Sequence, residues 1–346
     1  MKALVTGGNG FIGSHLAEEL QRRGHHVVCL VRASSDLRWI APSGVELVFG
    51  DVRDAGSLAA AVSRVDWIFH LGAVIRAGSW KTYFDANVTG TYNLLQACLR
   101  YNPKLRRFVF VSSIAAAGPA VPGRLKNEDD PRTPVSDYGR SKLLAEDLVM
   151  RFADRFPVVI LRPPNVLGPR EKAVVMLFQI LDRRLFPLLG NGDKQSSFCY
   201  VEDITEALIL AAEHTRAAGR TYFITDGCVY SWREPLDMVS GLLGKSRPRL
   251  PLPYPLLWGI AAMSEAAAVI LRSKPPLTRQ DVHSMRARYW TFDGSRLMAE
   301  LGFRPRFTLE DGLRRTVEWY RKEISGAELV PTASPAPSNG ENETRP

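Results

Sequence analysis

The sequence predicts an α/β fold: a doubly wound parallel sheet with a smaller, mostly helical C-terminal lobe. Three observations predict it. Short β-rich runs, apolar on successive residues, recur at 3–6, 27–31, 46–49, 67–71, 108–111 and 158–161. Such runs suit a parallel sheet covered on both faces. Helical patterns at 11–23, 57–63, 85–101 and 138–156 lie between them, which gives right-handed βαβ units. The first strand also runs into a helix through Thr6-Gly7-Gly8-Asn9-Gly10-Phe11-Ile12-Gly13. A glycine-rich turn opening a helix is the anion-binding device of dinucleotide-binding sheets: the Rossmann fold.

Taken in order, the elements assign residues 1–165 to a dinucleotide-binding domain. Past about Arg162 the alternation loosens. Helical patterns at 174–184, 201–213, 232–243, 254–271 and 309–322 are separated by short extended pieces. They suggest a substrate-binding lobe over 166–330, with a return to the sheet near 221–225. The tail, 331–346, is rich in Pro, Ser, Asn and Glu and is expected to be disordered.

Composition narrows the function. The chain has 346 residues, 45% hydrophobic and 23% charged, with net charge +9. No interleaved basic and aromatic stripe accompanies that charge, so a nucleic-acid partner is not expected and a small-molecule substrate is. A phosphorylated cofactor suits the basic balance. Cys29, Cys98, Cys199 and Cys228 are widely spaced with no C-x-x-C pair, which points to a reducing, cytoplasmic setting without a disulfide framework. The histidines show no metal spacing. Met1-Lys2 runs straight into the first strand without a leader pattern. The most apolar stretch, 250–271, is interrupted by prolines and by Glu265; it is expected to be a buried or amphipathic helix and not a transmembrane segment.

The chemistry is carried by Tyr138-Gly139-Arg140-Ser141-Lys142. Tyr138 and Lys142 are four apart and share one helix face. A phenol titrates near 10, and a neighbouring ammonium stabilises its phenolate. The pair is therefore suited to moving a proton to or from an alcohol. Ser113 ends a predicted strand, where ligands of open α/β sheets bind, and can hydrogen-bond a substrate oxygen.

With these residues in place, the chain resembles the extended short-chain dehydrogenases/reductases, the NAD-dependent epimerase/dehydratase family, over roughly residues 1–322. The resemblance implies a cofactor turn at Gly7, Gly10, Phe11, Ile12 and Gly13. It implies adenine contacts at Asp51 and Val52, and a segment beside the cofactor at Leu71 and Ala73, with Gly72 where alanine is more usual. Asn87 would support the site, and Pro164 lies in the loop lining the nicotinamide. Ser113, Tyr138 and Lys142 fall where the family keeps its catalytic residues, with Tyr138 and Lys142 also touching cofactor. Leu301-Gly302-Phe303-x-Pro305 resembles a C-terminal signature. By the same analogy, the helices at 85–101 and 138–156 would pair in a homodimer.

Two departures narrow the reaction. Ile114-Ala115 stand where 4,6-dehydratases carry an acidic pair, and Ser196-Ser197 stand where sugar epimerases often carry Arg-Asp. The run Ser113 to Pro119 is more similar to the 3β-hydroxysteroid dehydrogenase and dihydroflavonol reductase branch. Leu252, Tyr254, Leu256, Leu257 and Trp258 are expected to line a pocket for a flat ring system. For the cofactor, Val31-Arg32-Ala33-Ser34-Ser35 ends the second strand, and no acidic residue follows until Asp36. Arg32 suits a 2′-phosphate, so NADP is favoured, with NAD the alternative. The expected function is interconversion of a secondary alcohol and a ketone on an apolar cyclic substrate. The alternatives are an NDP-sugar epimerase and a non-catalytic dinucleotide-sensing protein.

Overall fold

Seven parallel strands build the main sheet of the computed structural model, which describes residues 1–171, 174–176, 178, 187–189, 194–244, 250–271, 275 and 277–325. The strands are β1 (Lys2–Thr6), β2 (His26–Val31), β3 (Glu46–Phe49), β4 (Trp67–His70), β5 (Arg107–Val111), β6 (Val158–Arg162) and β7 (Arg220–Phe223), in spatial order β7-β6-β5-β4-β1-β2-β3. Their apolar runs are explained by alternation between two cores. Val109, Val111, Val159 and Leu161 enter one core, while Phe108, Phe110, Val158 and Ile160 enter the other. With both faces buried, each strand must be apolar at every position.

Helix α1 (Phe11–Arg22) contributes Leu16, Ala17 and Leu20 to the first core. The second core receives Leu94, Leu95 and Cys98 from α2 (Gly90–Tyr101), and Ala145 and Val149 from α3 (Asp137–Met150). Cys29 packs in the first core and Cys98 in the second as small hydrophobes, and all four cysteines are unpaired. Strand order reverses at β1, which lies between β2 and β4, so the crevice beyond its carboxyl end is the expected ligand site.

Within 166–330 the chain returns to the sheet. β7 pairs with β6, and α4 (Val201–Glu213) buries Ile204, Ala207 and Leu208 in the first core. A separate apolar cluster joins Leu167, Phe178 and Phe198 to α5 (Arg233–Leu242) and, later in the chain, to Leu309, Leu313 and Val317 of the helix Leu309–Tyr320. Between these lies α6 (Tyr254–Ile270).

Several elements differ from expectation for local reasons. The pattern at 57–63 gives only a 3₁₀ turn, Ala55–Ser57, and one helical turn, Ala59–Val62. The Asp54 carboxylate accepts from Gly56 N–H and stabilises the tighter turn. The pattern at 85–101 is divided between a π-helical turn at Phe84–Thr89 and α2, and one helical turn, Trp80–Tyr83, precedes it. α3 stops at Met150, and the chain closes by turns before Pro157. The helix expected at 174–184 and the tail expected at 331–346 lie wholly or mostly outside the described residues. No described helix is long and apolar enough to cross a membrane.

Candidate active site

The turn after β1 is shaped by close backbone approach. Gly7 has φ +71°, and a Cβ there would lie 2.9 Å from the Gly72 nitrogen. A Cβ on Gly13 would lie 2.2 Å from the Gly7 carbonyl oxygen. Both positions therefore exclude a side chain. Gly10 precedes α1 with no side-chain cap. The first-turn N–H groups of Phe11, Ile12 and Gly13 thus stand at the positive end of the helix without a side-chain acceptor. A turn held tight by glycines and ending in helix N–H groups fits a dinucleotide pyrophosphate.

Arg32 is exposed, and its backbone N–H donates to Ser35 Oγ (3.0 Å). Among the described residues no carboxylate pairs with Arg32. Asp36, the first acid after it, is bound to Arg38 at 2.7 Å. Asp51 is paired with Arg53, whose hydrogen bonds hold its carboxyl below the usual range, and Arg32 adds to that effect. Val52 packs under Gly90, where a Cβ would lie 2.7 Å from Val52 Cγ2.

Beyond β4 a buried polar chain ties the glycine-rich turn to the helices. Gly72 N–H donates to Thr6 Oγ1 (3.1 Å). Thr6 Oγ1 lies 2.7 Å from His70 Nδ1, and His70 Nε2 lies 2.9 Å from Thr91 Oγ1. Thr91 donates its one hydroxyl hydrogen to the Asn87 carbonyl (2.7 Å). Thr91 must therefore accept from His70 Nε2–H, and His70 Nδ1 accepts from Thr6. This arrangement is complete only with a neutral imidazole, and burial pushes His70 down to about 3. Asn87 then fixes the segment after Leu71 and Ala73. Its Oδ1 accepts from Val74 N–H (2.7 Å), while its Nδ2 donates to Val74 O (2.9 Å) and Ser141 Oγ (2.9 Å). Asn87 sits on the π-helical turn, a form of helix found often at functional sites.

The structure brings Ser113, Tyr138 and Lys142 to the carboxyl end of β5. Ser113 caps the short helix Ile114–Ala117, its Oγ accepting from Ala115 N–H (3.1 Å). α3 docks against that turn at Gly139, where a Cβ would lie 2.3 Å from the Ala115 carbonyl oxygen. This approach puts the neighbouring Tyr138 beside Ser113, close enough for the Ser113 hydroxyl to act on its titration. Lys142 is buried, donates to the Val111 carbonyl (2.8 Å) and lies 4.0 Å from the Phe110 ring centroid.

The electrostatics differ from expectation. Burial dominates and pushes Tyr138 up to about 12, against the Ser113 hydrogen bond. Burial also brings Lys142 down to about 7, partly opposed by Glu146. The lowering of Tyr138 expected from the Lys142 ammonium is not found: burial, Ser113 and Tyr83 are what act on Tyr138, and desolvation favours the neutral form of both groups.

Glu146, one turn beyond Lys142, was missed in the sequence although its spacing is visible there. It forms a buried two-point pair with Arg162 (2.9 and 2.7 Å), which fastens α3 to β6. Gly139 was missed because its partner lies far away in sequence. Pro164 is buried, next to Pro163, whose carbonyl accepts from Ile114 N–H (3.1 Å). The proposed ring-lining series is divided. Leu257 is buried with Ala261 and Val282, Leu252 and Tyr254 pack beside them, but Leu256 and Trp258 face outward. Packing demands on α6 therefore separate residues that sit together in sequence. Among the described residues there is no metal-ligand cluster.

Comparison with known proteins gives a consistent result. Residues 3–225 match the model of the NAD dependent epimerase/dehydratase family. The 2-alkyl-3-oxoalkanoate reductase of Stenotrophomonas maltophilia is 31% identical over 91% of this chain and 98% of its own length. Sterol demethylase protein B of Methylococcus capsulatus is 31% identical over 93% and 99%. Among solved structures, the UDP-glucose 4-epimerase of Thermus thermophilus in complex with NAD superposes with TM-score 0.76 and 27% identity. That match covers 94% of this chain and 100% of the other.

Proposed function

The chain belongs to the NAD dependent epimerase/dehydratase family, and on that premise we propose that it is an NADP(H)-preferring reductase of apolar cyclic ketones, working through Tyr138, Ser113 and Lys142. The observation that carries this reading is the close approach of Gly139 to the Ala115 carbonyl, which sets Tyr138 and the buried Lys142 on α3 beside Ser113 at the sheet's carboxyl edge.

When bound, the nicotinamide supplies hydride transfer. The chain's own residues handle the proton and the orientation. Ser113 hydrogen-bonds the substrate oxygen. Tyr138, pushed up to about 12, keeps its proton at neutral pH and is suited to giving it to the oxygen as negative charge develops. Lys142 is placed to anchor the cofactor ribose and to steady the phenol. Asn87 and Ser141 hold the segment beside the cofactor in register with α3.

Preference for NADP rests on Arg32, which forms no salt bridge with a carboxylate among the described residues, and on Asp36, already bound by Arg38. Substitution Arg32→Asp should weaken NADP(H) and favour NAD(H), a swing of roughly tenfold or more for loss of one charged contact. Calorimetric titration with both cofactors checks this. Equal wild-type affinities would remove Arg32 from that role.

The apolar substrate reading is supported by the names of the two relatives, a reductase of alkyl oxo acids and a sterol-processing protein. It is also supported by Ser196 and Ser197. Both are fully buried and engaged internally, with Asn165 and with Phe292 N–H, so neither offers a cation to a nucleotide diphosphate. The exposed apolar Tyr92 and Leu99 on α2, and Leu144 and Met150 on α3, support a homodimer. Native mass spectrometry of the purified protein, followed by assay with hydrophobic cyclic ketones and UDP-hexoses, tests the whole reading. Nicotinamide oxidation with the ketones is expected. Micromolar binding of a UDP-sugar with epimer formation and no net nicotinamide change would favour the epimerase. Retained cofactor without turnover on any substrate would favour the sensor.

A further inference from the structure

Helix α6 breaks the rule that the outer face of a surface helix is polar. Leu256, Ile260, Met263, Ala267 and Ile270 recur at alternating four- and three-residue spacing, and all are exposed. Met263 is 75% exposed, Val269 79%, Ile270 81% and Leu271 72%. A separate stripe, Leu257, Ala261 and Ala268, is buried against the protein. Glu265, the helix's sole charged residue, is neutralised by Arg279 at 2.7 Å. The Arg279 guanidinium also lies 5.5 Å from the exposed Trp258 ring. Large contiguous apolar surface of this kind marks an interaction site.

We propose that α6 is a peripheral membrane anchor, laying its outer face in the interfacial plane of an anionic lipid surface. Charge selects the occupant. Residues 245–288 contain eight Lys and Arg against Glu265 and Asp281, so +6 of the chain's +9 lies in the segment that carries this helix. Arg272 and Lys274 directly follow its apolar end in sequence. Cations flanking an apolar helix suit anionic headgroups. Trp258 with Arg279 beside it suits the headgroup boundary, where amphipathic rings collect. The helix has 17 residues, short of the ~20 that span a bilayer, so it lies on the surface and does not cross. A second copy has another face available on α2 and α3. The proposal stands independently of which substrate the enzyme reduces.

The test is flotation of the full chain with vesicles of phosphatidylcholine, with or without phosphatidylglycerol. Binding to the mixed vesicles is expected, weaker by about tenfold or more on phosphatidylcholine alone and reduced by added salt. The double variant M263E/I270E should lose vesicle binding by about tenfold or more while keeping its melting temperature and nicotinamide binding. If that variant fails to fold, Trp258→Phe serves instead: wild-type fluorescence should shift to the blue on mixed vesicles, and the variant should lose that shift. Equal binding to both vesicle types, binding to neither, binding untouched by M263E/I270E, or a blue shift retained in Trp258→Phe overturns the proposal. So does a concentration-dependent dimer that M263E/I270E dissociates without any vesicle binding, which would assign the face to a second copy.

Discussion

Helices α3 and α6 invert the usual arrangement in opposite senses. α3 turns charge inward: Lys142 and Glu146 are both at most 2% exposed. α6 turns hydrocarbon outward: its stripe from Leu256 to Ile270 carries no charge. Neither choice serves folding alone, since burying ions costs free energy and exposed apolar area gains none. Helices that break the folding rule in a chain that otherwise keeps it are where function is expected. The two also differ in rigidity of placement. α3 is fixed by backbone contact at Gly139 and by the Glu146–Arg162 pair, whereas α6 rests on the small cluster of Leu257, Ala261 and Val282.

The largest test of α3 is Tyr138→Phe. It keeps the ring and removes the proton, so kcat should fall about 10²–10⁴-fold with cofactor binding intact. Retention of more than roughly a tenth of the rate would break the functional reading of the buried face.

Lys142→Met asks why the charge is buried. An apolar chain of similar length should leave the melting temperature unchanged or raise it, because the desolvation cost disappears. Both kcat/KM and cofactor affinity should fall. A loss confined to stability would make Lys142 structural. The wild-type affinity should also decline as pH rises through about 7, where burial brings the Lys142 titration, and the variant should lack that decline.

His70 sharpens the contrast between neutral and charged burial. Its folded value of about 3 lies below the ordinary 6.5, so the unfolded chain takes up the proton first. Its contribution to stability is complete above pH 6.5 and is lost as pH falls toward 3, amounting to a few kcal/mol. Denaturant titrations across that range should show a shallower acid limb in His70→Asn. An unchanged limb would contradict the neutral imidazole.

The smallest expected effect is Gly139→Ala. An added methyl meets the Ala115 carbonyl, and overpacking of this kind costs about 1–3 kcal/mol. Chemical denaturation measures the loss. The same change should move Tyr138 relative to Ser113 and lower kcat more than cofactor affinity. Full stability and full activity together would show that α3 docks elsewhere.

The sheet was legible because double burial leaves an unbroken apolar signature, and because the glycine turn announces a first βαβ unit. Tyr138, Lys142 and Ser113 were legible from spacing and strand-end position. What escaped were relations between distant residues. The Gly139–Ala115 and Gly7–Gly72 approaches require tertiary coordinates, as does the chain from Thr6 through His70 to Asn87. The π-helical turn at Phe84–Thr89 escaped because its period differs too little from that of the α-helix over six residues. The outward half of α6 escaped because apolar composition does not say which side is covered.

The buried chain that begins at Thr6 has a consequence for synthesis. Gly7 leaves the ribosome 65 residues ahead of Gly72, and Ser141, which Asn87 holds, follows later still. At roughly 5–20 residues per second, about 7–27 seconds separate the glycine-rich turn from the last partner in that chain. During that interval the turn is a glycine-rich tether beside an unpaired strand. Nascent chains halted before about residue 141 should therefore gain no protease resistance from added nucleotide, whereas chains carried past β6 should.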